Sequence, residues 1–570
     1  MTADRAGELG TVEAVTIGVA AILGSAALFV WLWGGIAGTL FGRGWPAMPL
    51  AQLLAVLGRL PSRLSHPASA WPTPARLRLP GTEALYGALA ALAAASGAVG
   101  LAAVRLLARL AGGRGDGARW ASGGQLRALS RRRGDRRSSA RLALGRHRGR
   151  LLYAERRHAV IAFGPPQSGK SAGVAIPALL EWPGPAIASS IKTDLLGVTL
   201  RRRAELGEAL VFDPFGLSGA AAHTWSPLHA AGTWDGALEV AWRIAAAGEL
   251  DQRGVEGGDF WAVAAEQRLA PLLYTAARGG HRIEQLVAWA YGQGTRALYD
   301  GLERAAAQAR DDGERRDASS AYEAARAFEA QADRTRSSIE GTVQALLRAY
   351  RFARVARSAA GCEITADRLL DGPNSLYLIG DAKASKLLRP IFLALLSEVV
   401  DRAYERANAE GGQLARPLLV CLDEAGNVAP LPNLAEIAST APSHNIQLVS
   451  IFHDLAQARS RYGGQAETVV NSHRARMLLP GVADLDTLRY FSALVGEEEA
   501  RELTRTSGAG GTSRSSGRRR RPLVAAEALR QLPDGSALLL YGRLPPARVR
   551  LRRWFEDRRL RALARPTGAR

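Results

Sequence analysis

Two long stretches of the chain carry no charge at all, the 29 positions from Ala14 to Gly42 and the 21 from Ala84 to Val104. A helix rises about 1.5 Å per residue, so the shorter stretch reaches roughly 31 Å, enough for a hydrocarbon core of about 30 Å. The pattern predicts a two-helix transmembrane hairpin within residues 1–115. The first stretch exceeds the apolar core of a signal peptide, about 7–15 residues, and its leader mixes Asp4, Glu8 and Glu13 with Arg5, which disfavours a cleaved signal. The second, rich in Ala and Gly, also suits a buried helix of a soluble domain.

Beyond residue 115 the period shortens. Apolar runs bounded by turn residues recur at Ala159–Phe163, Pro185–Ala188, Ala209–Phe212, Ser375–Ile379, Leu418–Leu422, Ile446–Phe452 and Ala475–Leu479. Such runs, alternating with helical stretches, predict an α/β domain with a mostly parallel, helix-covered sheet. Between Trp225 and Arg357 apolar residues instead repeat every three or four positions and no strand run is found. The expected organisation is therefore a first nucleotide-domain segment at 116–224, an all-α insertion at 225–357 and a second segment at 358–570. Residues 506–522, TSGAGGTSRSSGRRRRP, read as a flexible basic loop.

Charge adds a direction. The chain has 74 Lys+Arg against 53 Asp+Glu, a net charge of +21 over 570 residues, which favours polyanionic partners. Fourteen Arg lie between Arg105 and Arg150, including Arg131, Arg132, Arg133, Arg136 and Arg137, but only five between the two apolar stretches. The positive-inside rule then places the bulk of the chain in the cytoplasm. Only Cys362 and Cys421 are present, too few for a disulfide scaffold.

The strongest chemical signal is Gly164-Pro165-Pro166-Gln167-Ser168-Gly169-Lys170-Ser171, directly after a strand run and before a helix-compatible stretch. A strand–loop–helix of this form turns backbone N–H groups and a helix start toward phosphate oxygens. Lys170 is the expected partner of the outer phosphates of ATP, and Ser171 a ligand of Mg2+. A second carboxylate-bearing strand is needed, and Leu418–Leu422 followed by Asp423 and Glu424 supplies it. Asp423 is expected on the metal side, and Glu424 to polarise the attacking water. Lys192, Asp194 and Asp213, at the ends of other strand runs, are secondary candidates. Nine His show no zinc-site spacing, and no G-x-S-x-G elbow is present.

The phosphate loop, the stretch LDEAGNVAPLPNLAEIAS from Leu422 to Ser439, SSIKTDLL at Ser189, VFDPFG at Val211 and the closing segment Arg521–Pro546, behind an N-terminal hairpin, resemble the type IV coupling proteins of conjugation and type IV secretion. The resemblance implies a RecA-like ATPase core on the inner face of a bacterial cytoplasmic membrane, assembled as a homo-hexameric ring. It implies partners: single-stranded DNA with its attached relaxase, or a protein effector, and the components of a secretion channel. Two departures stand out. His453 follows the strand run Ile446–Phe452 where relatives commonly carry a phosphate-sensing Gln, and no Arg lies in Ser439–Asn445 to reach a neighbouring subunit. Arg474 and Arg476 are the nearest substitutes. These departures keep open a docking platform with weak or no catalysis, and the shared architecture keeps open a double-stranded DNA translocase of the chromosome-partitioning type.

Overall fold

The computed structural model describes residues 5–111, 117–130, 140–252, 258–508 and 511–564. It forms two compact units, Met1–Gly115 and Asp116–Arg570. The cluster Arg131, Arg132, Arg133, Arg136 and Arg137 lies outside the described residues.

In the first unit Arg5–Phe41 and Thr82–Ala111 are helices, and within them Gly24–Phe41 and Thr82–Val104 are long and apolar enough to cross a membrane. They meet where the Trp33 indole donates to the Leu85 carbonyl at 2.7 Å, with Trp71 edge-on to Trp33 at 5.2 Å. Small residues make room for the aromatics: a Cβ on Gly35 would lie 2.2 Å from the Trp45 ring. Val99, Leu101 and Val104 stay exposed, apolar surface that lipid accommodates better than water.

The strands of the second unit are β1 (Ala143–His147), β2 (Arg150–Tyr153), β3 (Val160–Phe163), β4 (Ala186–Ser190), β5 (Ala209–Phe212), β6 (Ser375–Ile379), β7 (Leu418–Leu422), β8 (Ile446–Phe452), β9 (Ala475–Leu478), β10 (Glu497–Gly508), β11 (Gly511–Pro522), β12 (Ser536–Tyr541) and β13 (Ala547–Arg550). Eleven of them form one sheet in the order β2-β1-β13-β12-β9-β3-β8-β7-β4-β6-β5. From β9 to β5 every pairing is parallel, and from β2 to β9 every pairing is antiparallel.

Alternation along each strand splits the core into two layers. Ile161, Phe163, Leu376, Leu378, Val420 and Leu448 point into one, with Val240, Ile244 and Phe392 from the covering helices. Val160, Ala162, Tyr377, Ile379, Cys421 and Val449 point into the other, with Leu179, Leu195 and Leu560. Because both faces are covered, the parallel strands are largely apolar, with Gln447 and Ser450 of β8 among the exceptions, which is why their sequences read as apolar runs.

Between β5 and β6 the described residues carry helices and no strand. These helices do not stand apart as a unit. Trp234–Gln252 lies against Ala382–Ala409, where Arg243 Nε bonds Asp401 Oδ2 at 2.9 Å and the buried Trp225 indole donates to Glu398 Oε2 at 3.1 Å. Segment 225–357 thus belongs to the same compact body as the sheet that it caps.

Residues 506–508 and 511–522 depart from the expected flexible loop: they lie in β10 and β11, paired in unbroken register from Glu497↔Pro522 to Gly508↔Gly511. The acids just upstream explain it. Glu498 and Glu499 stand opposite Arg521 and Arg520, and Arg521 bonds Glu498 at 2.8 Å, so the basic run has a complementary strand that Gly/Ser content alone concealed.

The parallel edge is pinned by a buried cation. Arg203, fully buried on the helix Asp194–Leu206, donates to Ser375 Oγ at 2.6 Å and to the carbonyls of Trp182 at 2.6 Å, Gly184 at 2.7 Å and Pro373 at 2.9 Å. It thereby joins the chain entering β4 to that entering β6; burial pulls its pKa down to about 10. Replacing it leaves several buried acceptors without donors. Arg203→Met is expected to lose about 3 kcal/mol or more of unfolding free energy, measured by urea unfolding, with Arg203→Lys regaining only part because one ammonium cannot span the fork.

Candidate functional site

The loop that leaves β3 is shaped by three backbone constraints. A Cβ on Gly164 would sit 2.5 Å from Ser168 Oγ and 2.9 Å from Leu479 Cβ, so only glycine fits there. Gln167 and Gly169 adopt φ of +66° and +89°, the left-handed region, which turns successive N–H groups toward one side of the loop. Ser168 N–H closes the turn on the Pro165 carbonyl at 3.2 Å, and helical backbone begins at Lys170 and Ser171.

Topology then brings the acids to this loop. In the sheet β8 separates β3 from β7, so the residues after β8 and β7 lie beside the residues after β3 at the same carboxyl edge. Ser171 Oγ donates to Asp423 Oδ2 at 2.7 Å across 252 positions of sequence. Lys170 Nζ donates to the carbonyls of Gly164 and of Pro165, the latter at 2.9 Å, and to His453 Nδ1 at 3.2 Å. His453 Nε2 in turn meets Glu424 Oε2 at 2.9 Å, which also accepts from Asn427 at 3.0 Å. An ammonium has only donors, so Nδ1 is the acceptor and Nε2 carries the proton that Glu424 receives as a hydrogen bond.

The two acids are tuned apart. Burial raises the Asp423 carboxyl to about 6, against the opposing bond from Ser171. For Glu424 burial also pushes upward, but the hydrogen bond from His453, with the charge of Lys170 and the hydrogen bond from Asn427, outweighs it and holds the carboxyl below its ordinary value. Lys170 is itself pulled down by burial, opposed by both acids. Glu424 sits at φ +74°, a conformation costly for a branched-free side chain as for any non-glycine residue, and its backbone is tied by Asn427 and Val428 N–H groups to the Glu424 carbonyl.

The oxygens present suit Mg2+, a hard cation that takes oxygen ligands. Asp423 is 4% exposed, and its Oδ1 has no hydrogen-bond partner, beside the Ser171 hydroxyl. Ser168 Oγ is likewise buried without a partner inside the loop. Of the secondary candidates, Lys192 is near enough to Lys170 to disfavour its charge. Asp213 is occupied instead as a turn cap, accepting from Leu217 N at 3.0 Å and Ser218 N at 2.7 Å. Arg474 and Arg476 lie at the start of β9, at the end of the sheet away from this chain's own loop, and Arg476 binds the Val470 and Asn471 carbonyls.

Three contributors were given no role by the sequence, although Asn427 lies inside the stretch Leu422–Ser439. Asn427 is the residue after Glu424-Ala-Gly, and Arg461 Nε holds the Gly426 carbonyl at 2.7 Å. The segment after β13 braces the loop from the other side: Trp554 N–H donates to the Ala172 carbonyl at 3.0 Å, Leu551 packs where a Cβ on Gly173 would sit, and Arg552 bonds Glu181 at 2.7 Å. Gly173 directly after the phosphate loop was the one local hint of this close approach.

Fold and site together define a phosphate-loop protein with a RecA-like core, covered by helices and accompanied by two candidate membrane helices. Its sheet and covering helices are similar to those of the bacterial conjugative coupling protein TrwBdeltaN70 in complex with sulphate, with a TM-score of 0.57 at 19% identity over 76% of this chain and 94% of that one. The plasmid coupling protein TrwB in complex with ADP and Mg2+ gives 0.55 at 18% identity over 77% and 93%. Residues 119–568 match the family described as type IV secretory system conjugative DNA transfer, and the chain belongs to that family. It is 25% identical over 399 residues to a conjugal transfer protein TraG from Escherichia coli, covering 66% of this chain and 61% of that protein. To the protein VirD4 of Rhizobium rhizogenes it is 23% identical over 429 residues, 72% of this chain and 60% of that one. The chain therefore spans about three-fifths of the length of the curated relatives it matches.

A carboxyl raised on folding contributes stability that is complete below its unfolded value of 3.8 and is lost as pH rises through about 6. Asp423→Asn, which keeps the acceptor for Ser171, is therefore expected to stabilise the nucleotide-free protein at pH 8 by on the order of 2–3 kcal/mol. The advantage should narrow steadily as pH is lowered below 6. Urea unfolding of both proteins across that range checks it, and parallel curves would contradict the burial of this charge.

Proposed function

We propose that this protein is a membrane-anchored ATPase that couples a relaxase-bearing single-stranded DNA to a type IV secretion channel, using hydrolysis to recruit and move it. The observation that carries the reading is the convergence of Ser171, Asp423, Glu424, His453 and Lys170 at one edge of the sheet. Family membership supports the conjugative role. The TrwB structures with ADP and Mg2+ and with a non-hydrolysable ATP analogue support the choice of nucleotide. The helices Gly24–Phe41 and Thr82–Val104 supply the anchor at the cytoplasmic membrane, both spanning it, with the second unit in the cytoplasm.

The loop Gly164–Ser171 cradles the phosphates, and Lys170 leaves its loop carbonyls to neutralise the outer ones. Ser171 and Asp423 hold Mg2+, which when bound withdraws charge from the phosphate oxygens. Glu424, kept ionised by His453 and Lys170, has Oε2 engaged and Oε1 available to accept a proton from the attacking water. His453, whose presence kept a docking platform open, lies inside this chain of hydrogen bonds and favours the catalytic reading. Subunits assemble as a ring, a hexamer, in which basic side chains hold the strand without reading its sequence.

Glu424→Gln is expected to bind ATP within a few-fold of the parent while turnover falls at least about 100-fold. Lys170→Ala is expected to lose both binding and DNA-stimulated turnover, with insertion of the first unit into membranes unchanged. ATPase and nucleotide-binding assays with and without single-stranded DNA read both variants. Normal turnover in either variant, or equal stimulation by duplex and single strands, contradicts the assignment.

A further inference from the structure

Basic charge in this chain is almost wholly arginine: of its 74 Lys+Arg, only Lys170, Lys192, Lys383 and Lys386 are lysine. In this arginine-rich chain lysine stands at four positions, and the fold brings all four to one edge of the sheet. Lys170 follows β3, Lys192 follows β4 by two residues, and Lys383 and Lys386 open the helix Ala382–Ala409 that follows β6. β4 and β6 are adjacent and parallel, with Ser190 paired to Ile379, so these positions share the carboxyl edge of the sheet with the phosphate loop.

The three lysines beyond the loop are exposed, and among the described residues none has a hydrogen-bond or ion-pair partner for its ammonium. Arginines farther along the same helix do, as Arg402 with Asp367 and Arg406 with Asp371 illustrate. Lys192 lines a cleft of about 250 Å³ with Thr193, Asp194, Gly380 and Asp381, and Lys386 lines a neighbouring one of about 510 Å³ with Ser338, Thr342 and Arg348. Asp381 caps its helix, accepting from the N–H groups of Lys383 at 2.9 Å and Ala384 at 2.6 Å, and Asp194 stands in the first turn of another helix. Lys383 and Lys386 are three apart on one helix, roughly 5–6 Å between Cβ atoms.

We propose that Lys192, Lys383 and Lys386 form a phosphate track for single-stranded DNA beside the nucleotide site, a proposal that rests on DNA being the cargo. The choice of lysine follows from what a moving strand requires. Arginine grips a phosphate through a rigid two-point fork, whereas an ammonium on a flexible stem is a point charge that can pass from one phosphate to the next. The shared edge gives the track a route to the nucleotide, because Lys192 follows β4 at the same carboxyl edge where the phosphate loop follows β3.

The test uses the full chain in detergent and a fluorescein-labelled oligothymidylate, with anisotropy read across a salt series. Each phosphate contact on a single strand contributes about 0.7 to the slope of log affinity against log salt. The triple variant K192A/K383A/K386A is expected to bind at least about 10-fold more weakly at low salt, with the slope reduced by about 2 and the thermal midpoint unchanged. The triple arginine variant is expected to restore affinity but slow DNA-stimulated turnover. If the parent binds and the alanine variant matches its affinity and slope, the track is overturned while the DNA reading stands. If the parent itself fails to bind, the DNA reading falls. If the substitutions weaken only binding to phosphatidylglycerol vesicles, the lysines serve a lipid surface and the proposal is likewise overturned.

Discussion

One hydrogen bond organises this molecule's chemistry: the Ser171 hydroxyl on the Asp423 carboxylate, at 2.7 Å, joining segments 252 positions apart. No local propensity brings these groups together. The parallel sheet does it, by setting β8 between β3 and β7 and ending all three strands at one edge. Everything needed to keep that edge level is therefore part of the site in effect, including the two buried layers that fix strand register and the Arg203 fork at the opposite end of β4 and β6. A one-residue slip of β7 would turn Asp423 toward the other layer.

Charge is the second constraint. Two carboxylates, a lysine and a histidine share a small, partly dry volume, and burial and close contacts there shift the protonation of both acids and the lysine. Asp423, fully enclosed, is lifted by burial, whereas Glu424, one residue further, is held down by His453 and Lys170. Adjacent acids thus present different properties on one short turn, an unhydrogen-bonded oxygen next to a hydroxyl at Asp423 and an ionised carboxylate at Glu424. The left-handed backbone at Glu424 is what separates them in direction.

How much of this was legible follows from which features need particular residues. The phosphate loop was legible because close approach and tight turning restrict positions such as Gly164 and Gly169, and the acidic strand because five buried residues before two acids is a distinctive pattern. The parallel strands showed as apolar runs since both their faces are buried. β1, β2 and β13, with sequences such as ALGRH, RLLY and ARVR, lie toward the antiparallel end where one face is open, and their arginines hid them. The hairpin of β10 and β11 was concealed for another reason: its stability rests on pairing between two polar segments, which composition taken one segment at a time does not reveal. Asn427 acts through its side-chain amide on Glu424, and Arg461 and the brace at Leu551–Trp554 through backbone carbonyls and packing, contacts for which no residue pattern is diagnostic.

The account stands on the phosphate loop and the acidic strand acting as one binding unit. A double-mutant cycle on Mg2+–ATP affinity, with Ser171→Ala, Asp423→Asn and the double variant measured by calorimetry, addresses that directly. The expected result is non-additivity of about 1–3 kcal/mol, because either single change already breaks the shared magnesium site. Strictly additive effects, or two single variants that bind as the parent does, would show that these residues do not meet around the nucleotide.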